Sequence, residues 1–142
     1  MDSKKFIIGG LLGGVAHFFL GWVVWGMLIM GFMHNHSNPT AAIIFRNENE
    51  MKWWAMIVGN LAVGFLICYV LTKANIKNAA GGAFTGAVVG MLHSLATGLI
   101  VYAQMMIFGL PAIAADVVAS AVVLGIVGGI VGWYLGRGDK GS

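Results

Sequence analysis

The sequence has very little charge. Asp, Glu, Lys and Arg together make up 9% of its 142 residues, against roughly 25% in a soluble globular domain. So few charges cannot cover a water-soluble fold, and 59% of the residues are hydrophobic, so we expect the chain to use lipid as its solvent. Cysteine is also scarce, because Cys68 is the only one. A single cysteine excludes an intramolecular disulfide and says nothing about the redox compartment.

The few charges leave long uncharged stretches between them. A membrane-spanning helix needs about 20 mostly apolar residues. The sequence therefore predicts an all-α membrane protein in which one domain, 1–142, forms a four-helix transmembrane bundle. The predicted spans are residues 6–31, 53–72, 80–108 and 111–136, and residues 32–52 form a long loop outside the cytoplasm.

Basic residues lie mainly on one side of these predicted spans. They precede span one, separate spans two and three, and follow span four: Lys4, Lys5, Lys73, Lys77, Arg137 and Lys140. On the other side, basic and acidic residues offset one another: Arg46, Lys52, Glu48 and Glu50. The positive-inside rule then predicts cytoplasmic N- and C-termini. Short connections favour antiparallel neighbours, which predicts an up-down topology.

Small residues recur at four-residue spacing in three of the predicted spans. The expected packing residues are Gly10, Gly14, Gly82, Gly86, Gly90, Gly125 and Gly129, and a neighbouring row in span four contains Gly128, Gly132 and Gly136. This spacing places the glycines on one face of a helix, where two backbones can approach closely. We therefore expect glycine-zipper packing. These faces exceed what one small bundle needs, so a homo-oligomer or a subunit of a larger membrane complex is also expected.

Polar side chains inside the predicted spans are the candidate intramembrane or transport residues: His17, Asn60, His93 and Asp116. Ionisable groups in spans are costly and usually face protein or water. Both histidines follow a Gly-x-x-x-Gly-x-x-His pattern, which suggests a faint internal repeat. Three interpretations stay open for them: hydrogen bonds between helices, a proton or ion path that includes Asp116, or ligation of a haem. Asp116 also has a simpler explanation, since a helix dipole favours an anion near the start of span four.

The outward loop offers weak signals. His34 and His36 flank one asparagine, but a closed metal site usually needs four ligands. We therefore predict no metal site and no cofactor. The segment 40–46, "TAAIIFR", is too short to span and is expected either to lie in the membrane interface or to pack over the bundle. No nucleophile–base pair is recognisable, so we do not expect an enzyme.

The segments "FLGWVVWGMLIMGFM" and "ADVVASAVVLGIVGGIVGW" resemble those of small four-span bacterial membrane proteins that are known only as a domain of unknown function. "KKFIIGGLLGGV" and "MIVGNLAVGFLICYVL" look like the branch found in Bacteroidetes-type bacteria. The matching positions are Gly21, Trp22, Trp25, Gly26, Asp116, Gly128 and Trp133. The resemblance implies the same architecture and a place in the bacterial inner (cytoplasmic) membrane, but no activity.

Other four-span families match less well. Small multidrug exporters depend on a glutamate in span one, which is missing here. Fluoride channels resemble this chain at "GNLAVGF" with Asn60, but they need a phenylalanine-rich break in span three, where this chain has "GMLHSLATG". Membrane glutathione-transferase-like enzymes carry charges more widely spaced than "RNENE". We therefore expect a non-enzymatic accessory or scaffolding protein, and the alternative is a small ion channel or proton-coupled transporter that uses the intramembrane His, Asp and Asn side chains.

Overall fold

The computed structural model describes residues 2–137, which are helical and contain no β-strand. The long helices are α1 (Ser3–Val23, continued by a π-helical segment, Val24–Leu28), α4 (Trp53–Lys73), α5 (Ala79–Gln104) and α6 (Leu110–Leu135); the loop between α1 and α4 holds α2 (Met30–Asn35), α3 (Ala41–Ile44) and a 3-10 turn (Glu48–Glu50). These four long helices are apolar enough to cross a membrane. The prediction of an all-helical, multi-pass membrane protein is confirmed. Lys140, which contributed to the orientation argument, lies outside the described residues.

The connection between α4 and α5 is held by two asparagines. Asn75 has a φ of 54°, in the left-handed region that asparagine tolerates better than most residues. The N–H of Asn75 donates to Thr72 O at 3.2 Å, and the N–H of Ile76 donates to Leu71 O at 2.9 Å. These paired bonds form a Schellman motif, which ends α4. Asn78 then begins α5, because its Oδ1 accepts a backbone N–H from the first turn at 2.7 Å.

Helices α1 and α4 pack against each other through glycines. Gly10 lies against the ring of Phe65, and Gly14, one turn further along α1, lies against Leu61. The contact moves backwards along α4 as α1 advances, so the two helices run antiparallel. Gly64 marks the closest approach, since a Cβ added there would collide with the backbone of Gly14.

Helices α5 and α6 form a second antiparallel pair with even closer backbones. A Cβ added at Gly82 would collide with Gly128 O, and one added at Gly86 would collide with Leu124 O. Gly90 lies in the same way against Ser120 O. Carbonyl oxygens of α6 therefore occupy the space that side chains on this face of α5 would need.

The row of α6 glycines that makes the closest contacts differs from the row named as the packing face. A Cβ at Gly125 would lie 3.4 Å from that of Ala87, and one at Gly129 would lie 3.5 Å from that of Ala83, which is ordinary or slightly tight contact. The neighbouring row, Gly128 and Gly132, leaves no such room because it faces the backbone of α5. Both rows border α5. Only the second row, Gly128 and Gly132, lies so close to the backbone of α5 that glycine is required there.

The two helix pairs meet through α6, which contacts α1, α4 and α5. The core between them is built from these buried side chains of α4 and α6: Ile67, Cys68, Leu71, Val123, Leu124, Val127, Val131 and Leu135. Helix α5 packs chiefly on α6 and makes no close backbone approach to α1. One side of α5 is consequently uncovered, with Leu92 and Ile100 56% and 57% exposed.

Candidate functional site

The carboxylate of Asp116 joins three of the long helices by hydrogen bonds. Trp25, in the extension of α1, donates its indole N–H to Asp116 Oδ1 at 2.7 Å. Ser94, on α5, donates its hydroxyl to Asp116 Oδ2 at 2.5 Å. Asp116 itself is half-buried in the second turn of α6, and Ser94 is buried. Each carboxylate oxygen thus has a donor from a different helix.

Local structure explains how these three side chains meet. Trp25 belongs to the π-helical segment, which the bond from Ile29 N to Val24 O closes at 2.9 Å. A π-helical turn contains an extra residue, and such turns are rare and frequently found at functional sites. Asp116 lies in the second turn of α6, one turn after Pro111.

A second polar pair joins α1 to α4. His17 Nδ1 and Asn60 Oδ1 lie 2.6 Å apart, and Asn60 Nδ2 donates to Met56 O at 2.7 Å. Because the amide nitrogen of Asn60 is committed to that carbonyl, its oxygen faces the imidazole, so His17 donates from Nδ1. Asn60 also lines a cavity of about 210 Å³, together with Gly14 and Phe18. The histidine is therefore held by a neighbouring helix at mid-span.

His93 is placed differently from the other candidate residues. It is exposed on α5, where its backbone oxygen accepts a hydrogen bond from Thr97 Oγ1 at 2.9 Å. Since α5 makes no close backbone approach to α1, His93 and His17 do not face each other. The geometry gives the two histidines no shared site, which removes the basis for the haem interpretation. The two histidines hold equivalent positions in the repeated sequence pattern, but their surroundings in the structure differ.

The outward loop is tied to the connection between α5 and α6. Asn38 N donates to Ile107 O at 2.8 Å, and Gly109 N donates to His36 O at 2.9 Å. The His36 ring stacks on Phe32 with centroids 4.1 Å apart, and its Nδ1 donates to Phe32 O at 2.9 Å. Within residues 2–137, no group of three His, Cys, Asp or Glu side chains is arranged to hold a metal ion.

Within this loop, α3 begins at Ala41, the second residue of the apolar segment 40–46. Ala41 is buried, whereas Ile43 and Ile44 are 86% and 63% exposed. One end of the segment thus packs against the protein and its apolar side chains point away. The buried Ala41 agrees with packing on the protein, and a position in the membrane interface stays a prediction.

Of the four candidate residues, the structure joins His17 to Asn60 and leaves Asp116 and His93 apart from that pair. Sequence reasoning did not link Trp25 to Asp116. Trp25 is named from the sequence only as a position that matches the four-span bacterial family, and a π-helical turn has no clear sequence signature. Comparison with protein-family models, curated protein sequences and solved structures finds no match to this chain. The resemblance to the four-span bacterial family therefore stays a prediction.

Proposed function

We propose that this protein is a non-enzymatic accessory or scaffolding subunit of the bacterial inner membrane that acts through helix packing. The observation that carries the proposal is the dispersal of its intramembrane polar groups. His17 and Asn60 bond to each other between α1 and α4, Asp116 bonds elsewhere, and His93 points away from both. A transport path needs such groups to converge, whereas dispersed groups serve individual helix contacts.

Each hydrogen-bonded group acts as a connector between helices. The His17–Asn60 pair holds α1 to α4, and Asp116 holds α6 to α5 and to the extension of α1. Interhelical hydrogen bonds of this kind contribute about 0.6 kcal/mol on average. These bonds make the choice of neighbouring helix more specific. The close packing itself comes from the glycines, in a glycine-zipper arrangement within an up-down bundle.

The uncovered side of α5 is the surface that a partner would occupy. His93 is exposed there in the middle of the helix, and an imidazole in hydrocarbon is costly unless protein or water surrounds it. Contact with a second copy of the chain, or with another membrane subunit, supplies that surrounding. A partner subunit would therefore bind to this side of α5 rather than to α6, which α1, α4 and α5 already contact.

The orientation follows from charge. Lys4 and Lys5 begin α1, Lys73 ends α4, and Arg137 follows α6, so these basic groups share one end of the protein. By the positive-inside rule that end is cytoplasmic, as are both termini.

Cysteine crosslinking in native membranes tests the proposal. Cys68 is buried, so single cysteines at Leu92 and Ala96 report on the α5 surface, and cysteines at Val118 and Val122 report on the exposed side of α6. We expect crosslinked products from the α5 positions and none from the α6 positions. Equal crosslinking on both surfaces, or none on either, contradicts the proposal.

A measurement of proton or ion flux tests the alternative that the protein is a channel or transporter. Proteoliposomes that contain the wild-type protein are expected to show no proton or ion flux above empty liposomes. A flux that disappears in His17→Ala and Asp116→Asn variants, with folding retained, would establish a channel or proton-coupled transporter in place of the accessory role.

A further inference from the structure

Four residues form a stripe along the uncovered side of α5. They are His93, Thr97, Ile100 and Gln104, spaced by four, three and four positions. At about 3.6 residues per turn, this spacing keeps all four within roughly 60° of one another around the helix axis. Each of them is exposed, and the exposed fraction of Ile100 is 57%. This α5 stripe is therefore a continuous surface that another molecule can contact.

His93 is the member of the α5 stripe that lies deepest in the membrane. Gln104 is the last residue of α5, and His93 precedes it by 11 positions. A rise of about 1.5 Å per residue puts roughly 16 Å between them along the helix. The hydrocarbon core of a bilayer is about 30 Å thick, so an α5 that ends near the membrane surface places His93 close to the centre of the bilayer.

The polar groups of the α5 stripe differ in what they still need. Thr97 donates its hydroxyl to His93 O at 2.9 Å, so its proton is used within α5. Among residues 2–137, neither the His93 imidazole nor the Gln104 amide has a hydrogen-bond partner. A neutral imidazole carries one donor and one acceptor, and leaving them unpaired in hydrocarbon is costly. The surface that covers His93 must therefore offer both a donor and an acceptor near the centre of the bilayer.

A second copy of the chain meets this requirement by symmetry. Copies that follow the same charge rule enter the membrane in one orientation, so a two-fold axis between them runs along the membrane normal and brings the same residues together at the same depth. One His93 imidazole can then donate its N–H to the acceptor nitrogen of the other. The remaining N–H has an acceptor one turn away, because the Thr97 oxygen keeps a free lone pair. The two Gln104 amides, each both donor and acceptor, also meet.

We propose that two copies of this chain form a parallel dimer through the α5 stripe, with the two His93 imidazoles hydrogen-bonded to each other near the centre of the bilayer. The inference rests on the proposed function, because it names the partner of the α5 surface. Ile100 supplies the apolar contact between the two polar levels of the stripe. Another membrane subunit would need matching polar groups at both depths, whereas a second copy necessarily carries them.

Oxidative crosslinking of single cysteines in native membranes tests the geometry of the dimer. The test variant is Ile100→Cys, in the α5 stripe. The matched control is Leu95→Cys, which is also exposed, at 41%, but lies about 140° around the helix from Ile100. The wild-type chain serves as the blank, since its Cys68 is buried. We expect a disulfide-linked product of twice the chain mass from Ile100→Cys and none from Leu95→Cys, because a disulfide needs the two Cα atoms within about 7 Å.

Sedimentation equilibrium of the purified full-length protein in detergent micelles tests the role of His93. His93→Leu keeps an apolar side chain of similar size but removes the donor and the acceptor, whereas His93→Gln keeps one of each. We expect His93→Leu to weaken the dimer about 3- to 20-fold, the range that hydrogen bonds between membrane helices allow. His93→Gln should change the dissociation constant by less than about threefold.

Four results would overturn the inference. The first is a wild-type protein that stays monomeric in the micelles, and the second is equal crosslinking at Ile100 and Leu95. The third is a His93→Leu variant that dimerises as well as the wild type. The fourth is a product from Ile100→Cys that contains a different protein, which removes the second copy but leaves the proposed function standing. Absence of any crosslinked product from α5 contradicts both the inference and the proposed function.

Discussion

The indole N–H of Trp25 donates to the carboxylate of Asp116 across 2.7 Å, although the two residues are 91 positions apart in the chain. This bond connects the end of the first long helix to the beginning of the last. It forms where α1 changes from α-helical to π-helical winding. A carboxylate that also accepts the Ser94 hydroxyl fixes the relative position of three helices at this end of the protein.

Replacing Trp25 by phenylalanine tests the contribution of this bond. The variant keeps an aromatic ring but removes the donor, so we expect the free energy of unfolding to fall by about 1 kcal/mol, within the range for intramembrane hydrogen bonds. Unfolding in mixed micelles with increasing SDS measures the loss. The control is Trp22→Phe, because Trp22 lies one turn earlier and is 62% exposed. A loss of the same size at Trp22 would assign the effect to ring size.

Because α1 and α4 approach most closely at Gly64, the loss of stability caused by a Gly→Ala substitution should depend strongly on its position along α4. We expect Gly64→Ala to destabilise the protein by about 1–3 kcal/mol, because its methyl group would enter the backbone of Gly14 and force the helices apart. Gly59→Ala should be neutral or slightly stabilising, since nothing lies within 4 Å of a Cβ there and alanine favours helix. Thermal unfolding of the two variants side by side measures the difference. Similar midpoints would contradict the packing described here.

Two adjacent glycines on α6 offer an even closer comparison. At Gly128 a Cβ would collide with Gly82 O, whereas at Gly129 it would lie 3.5 Å from the Cβ of Ala83. We therefore expect Gly128→Ala to destabilise the protein by about 1–3 kcal/mol and Gly129→Ala to change it by less than about 0.5 kcal/mol. The SDS unfolding assay measures both variants. The reverse order would show that the row containing Gly129, and not the row containing Gly128, makes the close backbone contact with α5.

The spans were predictable from sequence because hydrocarbon imposes a length and excludes charge. Charge-free stretches thus predicted all four long helices, and only their ends shifted. Helix α5 ends at Gln104, before the predicted 108, because Met105 is extended with φ −137° and ψ 141°. Hydropathy carries no information about such a turn, since the residues beyond it are as apolar as those inside the helix.

The partners of the polar side chains were harder to predict. Four-residue spacing indicates that a helix has a small-residue face, but not which helix lies against it. His17 and His93 occur in the same local pattern, yet α4 supplies Asn60 to His17, whereas His93 is exposed among residues 2–137. Their difference depends on the arrangement of helices, which a local motif does not encode. The link between Trp25 and Asp116 depends in addition on the π-helical turn.

A double-mutant cycle on His17 and Asn60 tests whether their hydrogen bond holds α1 to α4. The single variants His17→Ala and Asn60→Ala each remove one partner, and the double variant removes both. We expect an interaction energy of about 0.6–1.7 kcal/mol in SDS unfolding, the range found for hydrogen bonds between membrane helices. The control cycle pairs Asn60→Ala with His93→Ala and should be additive within about 0.5 kcal/mol, because His93 lies on α5, away from Asn60. Additivity in the first cycle would mean that Asn60 serves only the Met56 carbonyl of its own helix, and that glycine contacts alone hold the pair together.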